Sequence, residues 1–218
     1  MISDLKEDIT RQGYAFVSEF SPTTDTFAVA NTIGRPLTPW ESGVVQELVP
    51  RDSATPNTYS GIYGLGRFPF HTDLAHWRLP PRYLLLRCVA GFTDVPTLLL
   101  DCRLLLDNVT IDILTRAVYR PRRPRNGKLT LLRLYEPKND GYCFRWDEVF
   151  LRPASKMAEI ADLGVREYLR KCVPMSHILA RPGDLLLIDN WRMLHARAPI
   201  PADCKDRTIQ RVYLEDLH

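Results

Sequence analysis

The segment that decides the fold lies near the C-terminus and reads Gly183-Asp184-Leu185-Leu186-Leu187-Ile188-Asp189-Asn190-Trp191-Arg192-Met193-Leu194-His195. The four aliphatic residues at 185–188 predict a strand, and the polar residues that follow them predict a turn. The segment therefore delivers His195 just beyond the end of an apolar strand.

Short strand-like runs recur along the rest of the chain, separated by Pro, Gly and Asp turns. Strands are predicted at 14–17, 44–49, 83–88, 97–100, 128–135, 142–146 and 208–214, and helices at 3–11, 25–33, 102–109, 111–118 and 155–171. Because strands and helices do not alternate regularly, the pattern argues against a doubly wound parallel fold and favours a mainly antiparallel β sandwich with flanking helices. With 218 residues and 45% hydrophobic content, the chain is long enough for one domain, which we expect to span 1–218.

The composition argues against several classes of protein. The first ten residues lack the apolar core of a signal peptide and no apolar run is long enough to cross a bilayer, so we expect a soluble, cytoplasmic protein without a membrane partner. A formal net charge of +3 is too small to indicate a nucleic-acid partner. The absence of a Cys-x-x-Cys spacing argues against a structural zinc site or a disulfide framework among Cys88, Cys102, Cys143, Cys172 and Cys204.

One stretch, 116–125, is rich in arginine and contains Arg116, Arg120, Arg122, Arg123 and Arg125 with prolines between them. A solvated surface loop is the simplest interpretation. A lid over an acidic ligand is an alternative. A nucleic-acid contact is disfavoured, because the stretch lacks the run of aromatic residues that would stack on bases.

A polar pair stands in Phe-Pro-Phe-His-Thr-Asp-Leu-Ala-His-Trp at 68–77, where His71 and Asp73 are two positions apart. On an extended strand, residues i and i+2 point to the same side of the sheet, so these two side chains can converge on one point. With His195 they make two imidazoles and one carboxylate, the ligand set that binds non-haem iron(II) and leaves other positions open. The same residue types can also bind catalytic zinc, and a histidine near an aspartate is often an ordinary hydrogen-bonded pair.

Two arginines follow His195, in Arg207-Thr208-Ile209-Gln210-Arg211. On a strand these arginines face the same side, and both can line the cavity that His195 borders. A buried guanidinium needs an anion, and a dicarboxylate co-substrate would supply one. The alternative is surface pairing of one or both with Asp203, Asp206 or Glu215.

On these residues the sequence resembles the iron(II)/2-oxoglutarate-dependent oxygenases of the taurine dioxygenase and clavaminate synthase-like type. The stretches that carry the resemblance are 71–73, 183–195 and 207–211, and 189–197 is also similar to the γ-butyrobetaine hydroxylases. The stretch 94–98 corresponds to a family turn of the type Gly-Gly-x-Thr-Leu, although it lacks both glycines. The resemblance runs from about Thr58 to the C-terminus.

The resemblance implies a double-stranded β-helix, a jelly-roll of the cupin-like type. It also implies that His71, Asp73 and His195 hold Fe(II), which 2-oxoglutarate chelates through its keto-acid end. Arg211, supported by Arg207 and Thr97, would receive the distal carboxylate. With O2 as the further co-substrate, the implied reaction is hydroxylation of an unactivated C–H bond with release of succinate and CO2.

The resemblance also bears on the outcome of the reaction. The carboxylate of Asp73 occupies the position at which halogenating relatives have a small residue, which disfavours halogenation and leaves desaturation or ring closure open. The expected substrate is a small metabolite, an amino acid or a derivative of one. The alternatives are a residue bound to a protein or carrier, or a jelly-roll protein that binds metal and ligand without turnover. The oligomeric state stays open, with a homodimer as one option.

Four residues are candidates for the substrate pocket. The stretch 142–147 resembles an Arg-aromatic-Asp segment of clavaminate synthase-like enzymes, which makes Arg145 and Asp147 pocket candidates; an internal ion pair within a strand is the alternative. Phe70 and Trp191 can wall the cavity, although aromatic residues next to a site are more often core. His76 and His177 match no family motif, and we expect both to be structural.

Overall fold

The computed structural model describes residues 2–39, 43–52, 55–124, 127–138 and 141–218. The α-helices within these ranges are α1 (Ile2–Gln12), α2 (Thr26–Ile33), α3 (Tyr59–Tyr63), α4 (Ile111–Arg116) and α5 (Lys156–Lys171), and 3-10 turns cover Cys102–Asp107 and Ala202–Cys204. None of these helices is long and apolar enough to cross a membrane.

The strands within the same ranges are β1 (Tyr14–Val17), β2 (Gly34–Leu37), β3 (Gln46–Leu48), β4 (Phe68–His71), β5 (Tyr83–Ala90), β6 (Thr97–Asp101), β7 (Val118–Pro121), β8 (Leu132–Arg133), β9 (Tyr135–Lys138), β10 (Gly141–Phe144), β11 (Leu151–Pro153), β12 (Met175–His177), β13 (Leu185–Asp189), β14 (Met193–Arg197) and β15 (Thr208–Leu217).

Two antiparallel sheets form the body of the protein. The larger sheet has the order β1-β13-β5-β15-β2, and β3 also pairs with β15. The smaller sheet has the order β12-β6-β14-β4. Two further small sheets, β11-β7-β8 and β10-β9, complete the β structure of the described residues. The predicted fold class, mainly antiparallel β with flanking helices, is confirmed.

Strand β13 is apolar throughout because both of its faces are covered. Leu186 and Ile188 face the smaller sheet and pack in one cluster with Leu99. Leu185 and Leu187 face the opposite way and pack in a cluster with α1 and α2. Each fully buried aliphatic side chain of this kind contributes roughly 1.5–3 kcal/mol, so the strand anchors the larger sheet between two layers.

Strand β14 of the smaller sheet divides its side chains in the same way. Leu194 and Ala196 pack outward with Trp146 and with Val165 of α5. Successive residues of a strand point to opposite faces, so His195 points inward, into the space between the two sheets.

Several elements differ from the predicted ones. The run 128–135, predicted as one strand, contributes to two short strands, β8 and β9. The helix predicted at 102–109 is a 3-10 turn over Cys102–Asp107, and the helix predicted at 111–118 ends at Arg116 because residue 118 begins β7. The five cysteines are free thiols.

Candidate metal centre

Two histidines meet on neighbouring strands of the smaller sheet. β4 and β14 are antiparallel with His71 directly opposite His195, and the ring centroids are 4.4 Å apart. The residues beside them, Phe70 and Leu194, belong to the core on the outer face of the sheet. Strand alternation therefore turns both imidazoles into the space between the sheets.

Asp73 reaches the histidines from a turn. The sequence argument placed His71 and Asp73 on one strand, but β4 ends at His71 and Leu74 has a left-handed φ of 55°. The turn is held by Asn190, which is fully buried. Its Oδ1 accepts from the backbone N–H of Asp73 at 2.7 Å, and its Nδ2 donates to the carbonyl of Asp73 at 3.0 Å. The side chains of His71 and Asp73 do converge as predicted. They converge because the Asn190 side chain holds the backbone of the turn that carries Asp73.

The three side chains form a compact donor set. Each offers a ligand atom, and these atoms all lie within 4.8 Å of one another. Oδ1 of Asp73 is 3.4 Å from Nε2 of His71 and 3.5 Å from Nε2 of His195. The second ring nitrogen of His71 lies 2.9 Å from the carbonyl of Pro69, the kind of contact that orients a metal-binding imidazole. Two imidazoles and one carboxylate suit Fe(II), so the residues present fit this metal.

The electrostatics of the site favour a ligated cation. Burial alone would raise the pKa of Asp73, but Arg211 and the two imidazoles hold it well below its usual value. Burial, together with the nearby His71, lowers the pKa of His195. At neutral pH the carboxylate of Asp73 is therefore ionised and His195 is neutral, the states that metal binding requires of these two ligands. Burial would lower the pKa of His71, but the Asp73 and Asp147 carboxylates raise it, so a proton competes with a metal ion for this imidazole.

The other oxygen of Asp73 is bound by two donors from β15. Nη1 of Arg211 donates to Oδ2 at 3.0 Å, and the hydroxyl of Tyr213 donates to the same oxygen at 2.8 Å. Nε and Nη2 of Arg211 both donate to Oε1 of Gln46, at 3.0 and 2.8 Å. Arg211 is thus already held by an anionic and a neutral acceptor.

Arg207 is in a different situation. It is 5% exposed, and its guanidinium forms no hydrogen bond or ion pair with any residue of the described ranges. The surface pairing considered for it, with Asp203, Asp206 or Glu215, is therefore not observed. Burial lowers the pKa of Arg207, and burial together with the Arg207 charge lowers that of Arg197 to about 10.

A cavity of about 490 Å³ brings these groups together. Its polar and aromatic lining includes Tyr59, Phe68, His71, Asp73, His76, Thr97, Asp147, Phe150, His195, Arg197, Arg207, Arg211 and Tyr213. Thr97, on β6, pairs in register with Arg197 of β14. The metal-binding set and the arginines Arg197, Arg207 and Arg211 thus line the same cavity.

Comparison with solved structures identifies the fold. Asparagine oxygenase in complex with Fe(II), 2S,3S-3-hydroxyasparagine and succinate superposes with a TM-score of 0.69 at 17% identity, covering 98% of this chain and 77% of that chain. PvcB from Pseudomonas aeruginosa superposes with the same TM-score at 19% identity, covering 98% of this chain and 80% of that chain. OrfP in complex with Fe, succinate and (3S)-hydroxy-L-Arg gives a TM-score of 0.61 at 24% identity, over 79% of this chain and 57% of that chain.

This chain has the fold of asparagine oxygenase, PvcB and OrfP.

A curated relative points the same way. Clavaminate synthase 2 from Streptomyces clavuligerus is 28% identical over 161 residues, 66% of this chain and 49% of that protein. The chain thus spans about half the length of this relative. No family model matches the sequence. The resemblance to the clavaminate synthase-like oxygenases, inferred from the sequence motifs, is confirmed.

Of the four residues predicted for the substrate pocket, Asp147 lines the cavity. It is 4% exposed, and its Oδ1 accepts from the backbone N–H groups of Val149 and Phe150, both at 2.7 Å. No ion pair joins it to a basic side chain within the described ranges. Burial raises the pKa of Asp147 to about 6, against the opposing charge of His71.

Arg145 is not a pocket residue. It is fully buried and does not line the cavity. Its guanidinium donates to the carbonyl of Trp77 at 2.6 Å and pairs with Glu136 at 2.8 Å. The alternative, an ion pair within the stretch 142–147, is not observed either, because the partner Glu136 lies on β9. Arg145 supports the chain that follows Asp73.

Phe70 and Trp191 do not line the cavity either. Phe70 points away from the metal set because it neighbours His71 on β4, and it packs in the core. The indole Nε1 of Trp191 donates to the carbonyl of Pro80 at 3.0 Å, and its ring lines a second cavity of about 760 Å³ that includes none of the metal-set residues. Phe70 is thus a core residue, and Trp191 lies outside the cavity that contains the metal set.

Tyr59, which the sequence analysis did not single out, and His76, which we expected to be structural, both line the cavity. The ring of Tyr59 stacks on His71 with centroids 4.3 Å apart, and that of His76 lies 5.3 Å from Phe150. Burial and then the Asp147 carboxylate raise the pKa of Tyr59 well above its usual value, so its hydroxyl stays protonated. A tyrosine in the short helix α3 carries no sequence signal for this position.

The arginine-rich stretch forms no part of the cavity wall in the described residues, 116–124. Arg116 pairs with Asp112 at 3.0 Å, and Arg122 donates to Oδ1 of Asn57 at 2.9 Å. Part of the stretch is strand β7, which pairs with β8 and β11. Arg125 lies outside the described residues. The lid considered for this stretch gains no support from these contacts.

Proposed function

We propose that the protein is an Fe(II)- and 2-oxoglutarate-dependent oxygenase that hydroxylates an unactivated C–H bond of an amino acid or a derivative of one. O2 and 2-oxoglutarate are consumed, and succinate and CO2 are released. One observation carries the proposal: a His-Asp-His donor set and a buried, unpartnered arginine line the same cavity. In the same proposal residues 1–218 act as one oxygenase domain, and the two antiparallel sheets are the two faces of a double-stranded β-helix.

His71, Asp73 and His195 would hold the iron. Iron(II) bound there would supply the activation of O2 that is coupled to decarboxylation of 2-oxoglutarate. The protein contributes an ionised carboxylate, a neutral imidazole and a cavity walled by Tyr59 and Phe150. The carboxylate in the donor set disfavours halogenation.

Arg207 is the better receptor for the distal carboxylate of 2-oxoglutarate. A buried guanidinium without a partner costs free energy, which an incoming carboxylate would offset through a bidentate pair. Thr97 lines the same cavity, and its hydroxyl would donate to that carboxylate. This reverses the division inferred from the sequence, in which Arg211 was the main receptor and Arg207 its support. Arg211 is instead held by Asp73 and Gln46.

Asp147 suits the ammonium group of the substrate. A buried carboxylate that forms no salt bridge is costly, and a substrate ammonium group would relieve that cost. Asparagine oxygenase was solved with a hydroxylated asparagine and OrfP with a hydroxylated arginine, which supports an amino acid as the substrate here. A small-molecule partner is therefore proposed. A zinc hydrolase would leave Arg207 unexplained.

Amino-acid-stimulated succinate formation tests this function. The wild-type protein, with Fe(II), O2 and 2-oxoglutarate, is assayed against a panel of free amino acids, beside Asp147→Asn and the exposed control Asp94→Asn. We expect at least one amino acid to stimulate turnover, and Asp147→Asn to raise its KM tenfold or more with little change in the 2-oxoglutarate requirement. Turnover of 2-oxoglutarate without stimulation by any free amino acid would point to a protein- or carrier-bound substrate. A protein that binds metal but never forms succinate would be a binding protein.

A further inference from the structure

We propose that Tyr213 is a positioning residue that decides which oxygen of Asp73 faces the metal. The inference rests on the proposed iron site and goes beyond the three ligands to the residue that orients one of them. It is carried by the contacts of the two carboxylate oxygens, which are not equivalent.

The two oxygens of Asp73 have separate partners. Oδ1 lies 3.4 and 3.5 Å from Nε2 of His71 and His195. Oδ2 accepts from the Tyr213 hydroxyl at 2.8 Å and from Arg211 at 3.0 Å. One oxygen is therefore directed at the donor set, while the other is occupied by protein donors.

The position of Tyr213 follows from strand β15. Arg211 and Tyr213 are two residues apart on this strand, so both point to the same face of the larger sheet. That face looks across the sandwich at the smaller sheet, which carries His71 and His195. Tyr213 is 1% exposed and packs among the residues between the two sheets. The surrounding core thus fixes its ring.

The hydroxyl of Tyr213 and a guanidinium nitrogen of Arg211 both donate to Oδ2 of Asp73. A carboxylate whose Oδ2 is bound by two donors offers only Oδ1 to a cation. A single carboxylate oxygen occupies one metal position, which leaves positions for co-substrate and O2.

Without the Tyr213 hydroxyl, Oδ2 of Asp73 would keep only Arg211 of these two donors. The carboxylate would then be less firmly oriented and could turn to present both oxygens to the metal. Partners that orient metal ligands typically contribute 10–100-fold to metal affinity. The expected effect of Tyr213→Phe is therefore a weaker and spectroscopically altered metal site within an intact fold.

Cobalt(II) binding to the apo-protein tests the inference without any catalytic readout. Wild type, Tyr213→Phe and Tyr119→Phe are titrated with Co(II), and the visible ligand-field absorption reports both affinity and coordination. Tyr119 is the matched control because it is equally buried, while its hydroxyl donates to the carbonyl of Ala158 at 3.2 Å, away from the donor set. Phenylalanine fills nearly the same volume in both places, and far-UV circular dichroism checks that the variants fold.

We expect Tyr213→Phe to bind Co(II) about tenfold more weakly and with a changed absorption spectrum, and Tyr119→Phe to match the wild type. Wild-type affinity and spectrum in Tyr213→Phe would overturn the positioning role while the iron site stands. A wild-type protein that binds no Co(II) would overturn the iron site itself, and the role of Tyr213 with it.

Discussion

Arg207 and Arg211 are four residues apart, but their surroundings differ in one decisive way. Arg211 donates to Asp73 and Gln46, whereas Arg207 is buried without a partner in the described residues. A buried cation that lacks a counterion is unfavourable in the free protein, and it is tolerated where a ligand supplies the anion. This contrast is the reason for our proposal that Arg207 receives the co-substrate carboxylate.

Replacement of each arginine tests this assignment. We predict that Arg207→Met raises the 2-oxoglutarate concentration for half-maximal turnover more than about thirtyfold, in line with roughly 2–5 kcal/mol for a buried charge pair. Because Arg207 has no partner to lose, the same change should not lower the free energy of unfolding of the apo-protein. Titration of 2-oxoglutarate and urea unfolding measure the two effects. An unchanged requirement in Arg207→Met, with a raised one in Arg211→Met, would return the role to Arg211.

At the scale of residues, the sequence predicted the site residues that belong to short motifs. His71, Asp73 and His195 were found because the spacing of a histidine, an aspartate and a distal histidine is itself a pattern. Tyr59 and Tyr213 were missed because their roles arise from packing across the sandwich, which no local spacing encodes. Arg145 illustrates the opposite error, since its position in a motif gave no sign of Glu136 and the carbonyls that bind it.

At the scale of elements, the turn before β13 depends on Asp184. This carboxylate is 3% exposed and accepts four hydrogen bonds, from the Ser18 hydroxyl and from the backbone N–H groups of Glu19, Ala180 and Arg181. It therefore joins the loop after β1 to the turn that leads into β13. Burial opposes ionisation, but these hydrogen bonds lower the pKa of Asp184 below its usual value.

We predict that Asp184→Asn destabilises the protein by about 3 kcal/mol at pH 7, because the amide nitrogen would face N–H donors that now meet a carboxylate oxygen. A lowered folded-state pKa gives stability that is fully present above the unfolded-state pKa, near 3.9, and is lost as pH falls through the folded-state value. The gap between wild type and variant in urea unfolding should therefore shrink below about pH 4. The exposed control Asp94→Asn should show little change at either pH. If the difference in the free energy of unfolding between wild type and Asp184→Asn were equally large in acid, the charge of the Asp184 carboxylate would not contribute to stability.

Helices and strands with a strong local hydrophobic pattern were predicted well. Strands that depend on pairing with a distant strand were not. The strand at Tyr14–Val17 was predicted with its observed bounds, and the helix Lys156–Lys171 was predicted to within one residue. The strand β14 was not predicted, and a strand at β4 was assumed only in the argument for His71 and Asp73, since each strand is short and holds a polar residue. Their pairing with each other, rather than their composition, makes them strands.

At the scale of the whole molecule, the site exists because two sheets face each other. The smaller sheet supplies His71 and His195, and the larger sheet supplies Arg211 and Tyr213. Asp73 stands in a turn between them, tied to Asn190. The sequence could predict a mainly β sandwich, but the order of the strands, and so the set of side chains that meet inside it, depends on pairings between distant segments.

The central claim is that one cavity holds Fe(II) and 2-oxoglutarate together. Anaerobic addition of both to the apo-protein tests it most directly, through the weak visible metal-to-ligand charge-transfer band of a chelated keto acid. We predict that the band appears in the wild type and is absent in His195→Ala, and that Arg207→Met needs a higher 2-oxoglutarate concentration to produce it. A folded wild-type protein that never shows the band would contradict the account, and the His-Asp-His set would then have to serve another ion or none.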